Sequence, residues 1–131
     1  MTMLLDPRLA DCRRIFLNGL CVQASIGFHA HERQQAQRLR MNVELFVPIA
    51  QSTSQSDAVD DVLDYDFIRM GVLEVAAEQH YNLQETLLDR IVALCLSRAQ
   101  VRAVKVSTEK PDVYPDCDTV GIEVFAWQPS P

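Results

Sequence analysis

No stretch of the 131-residue chain is apolar for long enough to cross a bilayer, which takes about 20 consecutive residues. The first dozen residues hold Asp6, Pro7 and Asp11 around a short Met3-Leu4-Leu5 run, so the apolar core of a secretion signal is missing too. Positive charge is also scarce. Twelve lysines and arginines stand against 18 aspartates and glutamates, a formal net charge of −6. A general nucleic-acid binder needs clustered basic residues to offset the phosphates. The densest basic group here, Arg33, Arg38 and Arg40, is interrupted by glutamines and reads as a solvated loop and strand face. The four cysteines, Cys12, Cys21, Cys95 and Cys117, form no CxxC pair and no zinc-ribbon spacing, which leaves free thiols rather than a metal knuckle or a redox motif. A soluble cytoplasmic protein is therefore expected, with neither membrane nor nucleic acid as partner.

Hydrophobic residues make up 48% of the chain and charged ones 23%, a globular composition, and the length fits one domain around one core. Residues 1–13 read as an extension outside the fold with one helical turn around Pro7 to Cys12, residues 14–128 as the domain, and 129–131 as a tail. From Arg14 to Ile26 the pattern is that of a long strand, broken by Asn18-Gly19 as a bulge would break it and ended by Gly27. A polar loop from Phe28 to Ala36 follows. Leu39, Met41, Val43, Leu45 and Val47 then alternate with Arg40, Asn42, Glu44 and Phe46, the cleanest period-two stretch in the sequence. Pro48 closes it, and the connection from Gln51 to Asp57 leads into an acidic run.

Two helices are expected next. Asp64 is placed to cap one that opens at Tyr65 and buries Ile68, Val72, Val75 and Ala76. Asn82-Leu83-Gln84-Glu85 reads as a capping box for the second, which buries Leu87, Leu88, Ile91, Leu94 and Cys95. Strands from about Val101 to Glu109 and from Thr119 to Trp127 complete the chain. The order strand, strand, helix, helix, strand, strand gives an α+β fold, an antiparallel four-stranded sheet with two helices on one face. Its long edge strands would leave unpaired backbone groups, which predicts a closed homo-oligomer with sites between subunits.

One residue disturbs this pattern. Val104, Val106 and Thr108 share a strand face, so Lys110, ending that strand before Pro111, lies on the apolar side. Its ammonium must snorkel to water or find a partner, and a lysine held near substrate can trade protons. Glu32, Tyr65 and Glu85 are the other polar residues at element ends.

These residues lie within Ile15-Phe16-Leu17-Asn18-Gly19-Leu20, the Gly27 to Glu32 spacing with Gln37 following, Asp60-Asp61-Val62-Leu63-Asp64-Tyr65, Asn82-Leu83-Gln84-Glu85, and Glu109-Lys110-Pro111 with Val120-Gly121-Ile122-Glu123. In that order and spacing, from about Arg14 to Trp127, the chain resembles the dihydroneopterin aldolase family. The resemblance implies the tunnelling fold, in which four subunits close a sixteen-stranded barrel and two such rings stack as a homo-octamer, with sites between neighbours. It implies retro-aldol cleavage of a small-molecule pterin, 7,8-dihydroneopterin, to 6-hydroxymethyl-7,8-dihydropterin and glycolaldehyde in folate biosynthesis, with neither metal nor cofactor. The substrate's own ring imine takes up the electrons of the breaking bond. Carried over, Lys110 is the general acid and base, Glu32 is hydrogen-bonded to the substrate's side-chain hydroxyls or to Lys110 itself, and Tyr65 is a proton shuttle from the neighbouring subunit. Glu85 and Gln84 bind the pterin, with Leu63 and Asp64 also assigned to substrate binding. Three features depart from the family pattern: Val62-Leu63 before Asp64-Tyr65, Gln84 in place of leucine, and the turn from Asp112 to Cys117.

Three other readings remain open at this point. An epimerase of dihydroneopterin or its triphosphate uses much the same residues, although a triphosphate would favour a more basic rim. A zinc enzyme of the same broad fold would need His29, His31 and His80 to converge. A non-catalytic pterin-binding subunit would need mainly Glu85.

Overall fold

The structure is a computed structural model that describes residues 6–129. Its strands are β1 (Cys12–Ala24), β2 (Gln37–Pro48), β3 (Ala103–Lys110) and β4 (Val120–Trp127), and its helices α1 (Tyr65–Ala77) and α2 (Gln84–Leu96). The strands form one antiparallel sheet in chain order, with β1 and β4 at its edges. This is the α+β arrangement that the alternation and the helical spacing predict. The register between β1 and β2 shifts between Leu17 and Leu20. Gly19 takes up the shift at φ 72°, a conformation costly for other residues, and its N–H donates to Asn42 Oδ1 at 2.8 Å.

Both helices cover one face of the sheet. Val43, Leu45, Val104 and Val106 from that face pack with Ile68 and Val72 of α1 and Leu87 and Ile91 of α2 in one core cluster. The corresponding residues of β4, Val120, Ile122, Val124 and Ala126, are only half-buried, because β4 is an edge. Pro111, which has no N–H to donate, follows the last ladder residue, Lys110.

Two expectations about the helices and the N-terminus need correction. Asp64 does cap α1, accepting from the Asp66 N–H at 2.9 Å. The capping box at α2 does not form: Leu83 is the N-cap, without a side-chain bond, and the Asn82 amide oxygen instead accepts from Arg33. The N-terminal segment, as far as it is described, is part of the fold. Cys12 already belongs to β1, and Leu9, 2% exposed, packs with Cys12, Phe46, Ala103 and Trp127 on the sheet face away from the helices. Phe46 falls on the polar side of the alternation, and this segment covers it. Arg8 lies 3.9 Å over the Trp127 ring, and Arg102 pairs with Asp11 and donates to the Arg8 carbonyl at 2.8 Å. Residues 1–5 and 130–131 lie outside the described residues.

Candidate active site

Past Ala24 the chain leaves the sheet and turns at Gly27, where φ is 126°. A Cβ built there would stand 2.0 Å from the Glu32 carboxyl carbon, so only glycine fits this close approach. The short 3-10 turn Ala30–Arg33 swings Glu32 back beneath Gly27. The carboxylate there accepts three hydrogen bonds: from Lys110 Nζ at 2.9 Å, from Gln37 Nε2 at 2.9 Å and from the His29 backbone N–H at 3.2 Å. Gln37 Nε2 also donates to the Ile26 carbonyl at 2.7 Å, fixing the amide between loop and carboxylate.

Glu32 and Lys110 are each 9% exposed. Burial by itself would raise the Glu32 pKa. The hydrogen bonds from Lys110, Gln37 and His29, with the lysine's charge, outweigh it and lower the pKa from 4.5 to about 2. Glu32 is therefore held as a carboxylate against Lys110 Nζ at the edge of the core. Lys110 sits there because it continues the buried face of β3, as its sequence position predicts.

Two residues back on that face, the Thr108 hydroxyl donates to Gln84 Oε1 at 2.9 Å and anchors the first residue of α2. Glu85 follows in the first turn of α2. Its side chain is exposed, and no hydrogen bond or ion pair engages its carboxylate among the described residues. A helix N-terminus favours an anionic group there, and the carboxylate stands open to a ligand. Glu32, Lys110, Gln84 and Glu85 line one cleft of about 190 Å³ with Gly27 and Tyr114. A wider recess of about 570 Å³, bounded by His29, His31, Gln37, Arg38, Asp112 and Tyr114, also has Glu32 in its wall.

The other three predicted site residues lie elsewhere. Leu63, Asp64 and Tyr65 line a separate recess of about 480 Å³ with Val59 and Val62. Leu63 is buried, Asp64 is occupied as the helix cap, and Tyr65 is 60% exposed. Within one chain, then, the Glu32–Lys110 pair and the open glutamate share a cleft that the tyrosine does not line.

Gln37, to which the sequence analysis assigns no role, belongs with Glu32. The signal for it was in the sequence: it precedes Leu39 and Met41 at period two, and so is a polar residue on a core-facing position, as Lys110 is. His80 presents no free nitrogen to a metal. Its Nε2 is 2.8 Å from the Gly27 carbonyl oxygen and its Nδ1 2.6 Å from Ser25 Oγ, while His29 and His31 stack on each other with ring centroids 5.6 Å apart. The convergence that a three-histidine zinc site requires is thus not made. The basic residues flanking the site are engaged as well, Arg33 by Asn82, Arg38 by Asp112 at 3.3 Å and Arg40 by Glu109 at 3.7 Å.

Comparison with known proteins gives the same direction. The dihydroneopterin aldolase (FolB) family model matches residues 15–125. The dihydroneopterin aldolase of Streptomyces coelicolor is 29% identical over 99 residues, 76% of this chain and 82% of that protein. A crystal structure of the Burkholderia thailandensis dihydroneopterin aldolase bound to guanine superposes with a TM-score of 0.86 at 50% identity, over 95% of this chain and 98% of that one. The Escherichia coli dihydroneopterin aldolase in complex with neopterin shares the fold, with a TM-score of 0.80 at 24% identity over 87% of this chain and 98% of that one. With the family match running from β1 to β4 and a half-identical relative over nearly its whole length, this chain belongs to the dihydroneopterin aldolase family.

Proposed function

We propose that this chain cleaves 7,8-dihydroneopterin by a retro-aldol reaction in which the Glu32–Lys110 pair handles the protons of the substrate's side chain. The observation that carries the reading is the buried 2.9 Å contact between these two groups in the cleft that Glu85 also lines. Glu85 would accept from the pterin 2-amino group and the neighbouring ring N–H, a planar bidentate contact that selects aminopterins. That its carboxylate has no partner among the described residues supports that role. Gln84 contributes backbone groups beside it, and Leu63 and Asp64 approach the ring from the recess that holds Tyr65.

With the ring held by Glu85, the substrate's hydroxylated side chain reaches Glu32 and Lys110. The pair takes the proton of the hydroxyl on the far carbon of the bond to be cut, and that oxygen becomes the carbonyl of glycolaldehyde. The carbon–carbon bond breaks, and its electron pair runs into the ring imine. A proton returned to the carbon left on the ring, delivered by Tyr65, yields 6-hydroxymethyl-7,8-dihydropterin. Gln37 and the His29 N–H keep the carboxylate aimed at Lys110 throughout.

Tyr65 reaches the cleft from a neighbouring subunit. Its exposure, the half-buried face of β4 and the two sheet edges support a ring of four chains closing a barrel. Two such rings stack as an octamer in the cytoplasm on this reading. The test is anaerobic incubation of the purified protein with 7,8-dihydroneopterin and a chelator, following glycolaldehyde and the pterin products. Equimolar glycolaldehyde and hydroxymethyl-dihydropterin are expected. A changed side-chain configuration without glycolaldehyde would move the assignment to epimerase. Pterin binding with no reaction would leave a binding subunit.

A further inference from the structure

We propose that His80 is a positioning residue that holds the Gly27 turn against the Glu32 carboxylate, and so keeps the Glu32–Lys110 pair in its reactive geometry. The inference rests on the reading of that pair as the proton-handling groups. Ladder pairing between β1 and β2 ends at Ala24 opposite Gln37, so the three residues that reach Gly27 have no strand beside them. The segment His80-Tyr81 takes that place. Gly27 N–H donates to the Tyr81 carbonyl at 2.8 Å, Tyr81 N–H donates to the Ser25 carbonyl at 2.9 Å, and Ile26 bridges Tyr81 in parallel fashion. Tyr81 is a firm anchor, buried and with its hydroxyl donating to the Val75 carbonyl at 2.7 Å.

None of these bonds fixes the Gly27 carbonyl. Glycine has no side chain through which packing could hold it, and it visits a wide range of conformations when released. His80 supplies the hold, with Nε2 at 2.8 Å from that oxygen. A carbonyl only accepts, so Nε2 carries a proton and donates to it, while Nδ1 pairs with the Ser25 hydroxyl at 2.6 Å. The two contacts set the plane of the imidazole. Since a Cβ on Gly27 would overlap the Glu32 carboxyl, any rotation of this peptide is felt by the carboxylate directly.

The two nitrogens can be tested separately, because glutamine places an amide near the position of Nε2 and asparagine near that of Nδ1. His80→Gln keeps the Gly27 contact, and His80→Asn keeps only the Ser25 contact. The asparagine variant is expected to lower kcat toward dihydroneopterin about a hundredfold, the scale of a small misplacement of reacting groups, with KM nearly unchanged because Glu85 is mounted separately on α2. His80→Gln and Ser25→Ala should stay within about threefold of the unmodified protein, less than 1 kcal/mol of barrier. A readout that loss of stability alone does not move is the Glu32 carboxylate titration by carbon NMR. It should shift toward the ordinary carboxylate range in His80→Asn and stay depressed in His80→Gln and Ser25→Ala. Equal kcat and an unshifted Glu32 titration in His80→Asn would overturn the proposal, as would a loss in Ser25→Ala as large as in His80→Asn. Should His80→Asn not fold, a rise of the Glu32 titration in either of the other two variants overturns it. If the unmodified protein does not turn over dihydroneopterin, the functional reading fails, and the Glu32 titration still decides the role of His80.

Discussion

Glu32 takes three hydrogen bonds from its own chain and is 9% exposed, whereas Tyr65, at the start of α1, is 60% exposed. The Glu32 region is held by residues far apart in sequence: Gly27 presses on the carboxylate, Gln37 and Lys110 donate to it, and His80 fastens the turn above. The Tyr65 region is local, a helix start capped by its preceding residue. One region is finished by the fold of a single chain. The other offers an aromatic side chain outward, as a group meant for a neighbour's site would be. On the proposed reading of a site shared between subunits, burial marks the half that the chain completes and exposure the half that it lends.

Substitutions at the two regions should therefore fail in different ways. Lys110→Ala is expected to reduce turnover by about 10² to 10⁴ while sparing pterin affinity, which parallel kcat and binding measurements would show. Near-normal turnover in this variant would break the contrast at its strongest point. Removing the ammonium also strands a buried carboxylate, so the double variant with Glu32→Gln should unfold at higher denaturant than Lys110→Ala alone.

The next effect is on stability and depends on pH. The Glu32 pKa lies at about 2 in the folded protein against 4.5 for the free side chain, so the unfolded chain binds the proton more readily. Its contribution is fully present above about pH 4.5 and is lost as pH falls toward 2, on the order of 3 kcal/mol in all. Denaturant titrations across that window should show the slope in the unmodified protein and a weaker one in Glu32→Gln. An identical slope in both would place the acid sensitivity elsewhere.

Tyr65→Phe should cost about ten- to a hundredfold in turnover and leave the melting temperature unchanged, since the hydroxyl belongs to an exposed ring. Mixing Tyr65→Phe and Lys110→Ala subunits sharpens the comparison further. If each site draws on two chains, reassembled mixtures recover activity that neither variant has. Mixtures as inactive as their parts would put both residues in one chain's site. The smallest effects separate the two helix starts: Asp64→Ala should destabilise by about 1 kcal/mol through loss of the α1 cap, and Asn82→Ala by less than about 0.5 kcal/mol, because Asn82 does not cap α2.

Much of this was legible in the residues. The alternation of β2 and of β3, the bulge at Gly19, the Asp64 cap and the end of β3 before Pro111 are local patterns, and local sterics and periodicity decide them. The Asn82 capping box was misread because Arg33, 49 positions away, competes for the same amide oxygen. The N-terminal extension was misread because the need to cover Phe46 appears only once Trp127 and Ala103 stand beside it. Gln37 could have been found by asking which polar residues fall on buried positions, the question that singled out Lys110.

The elements, their order and the apolar face on which Lys110 ends follow from local residue patterns, since periodicity and turn chemistry act over a few residues. Only the tertiary structure decided that Lys110 meets Glu32, that Gly27 lies against that carboxylate and that His80 holds Gly27 in place. Those contacts join residues up to 78 positions apart, and they exist because a buried charge and a free carbonyl must find partners wherever the packed chain provides them.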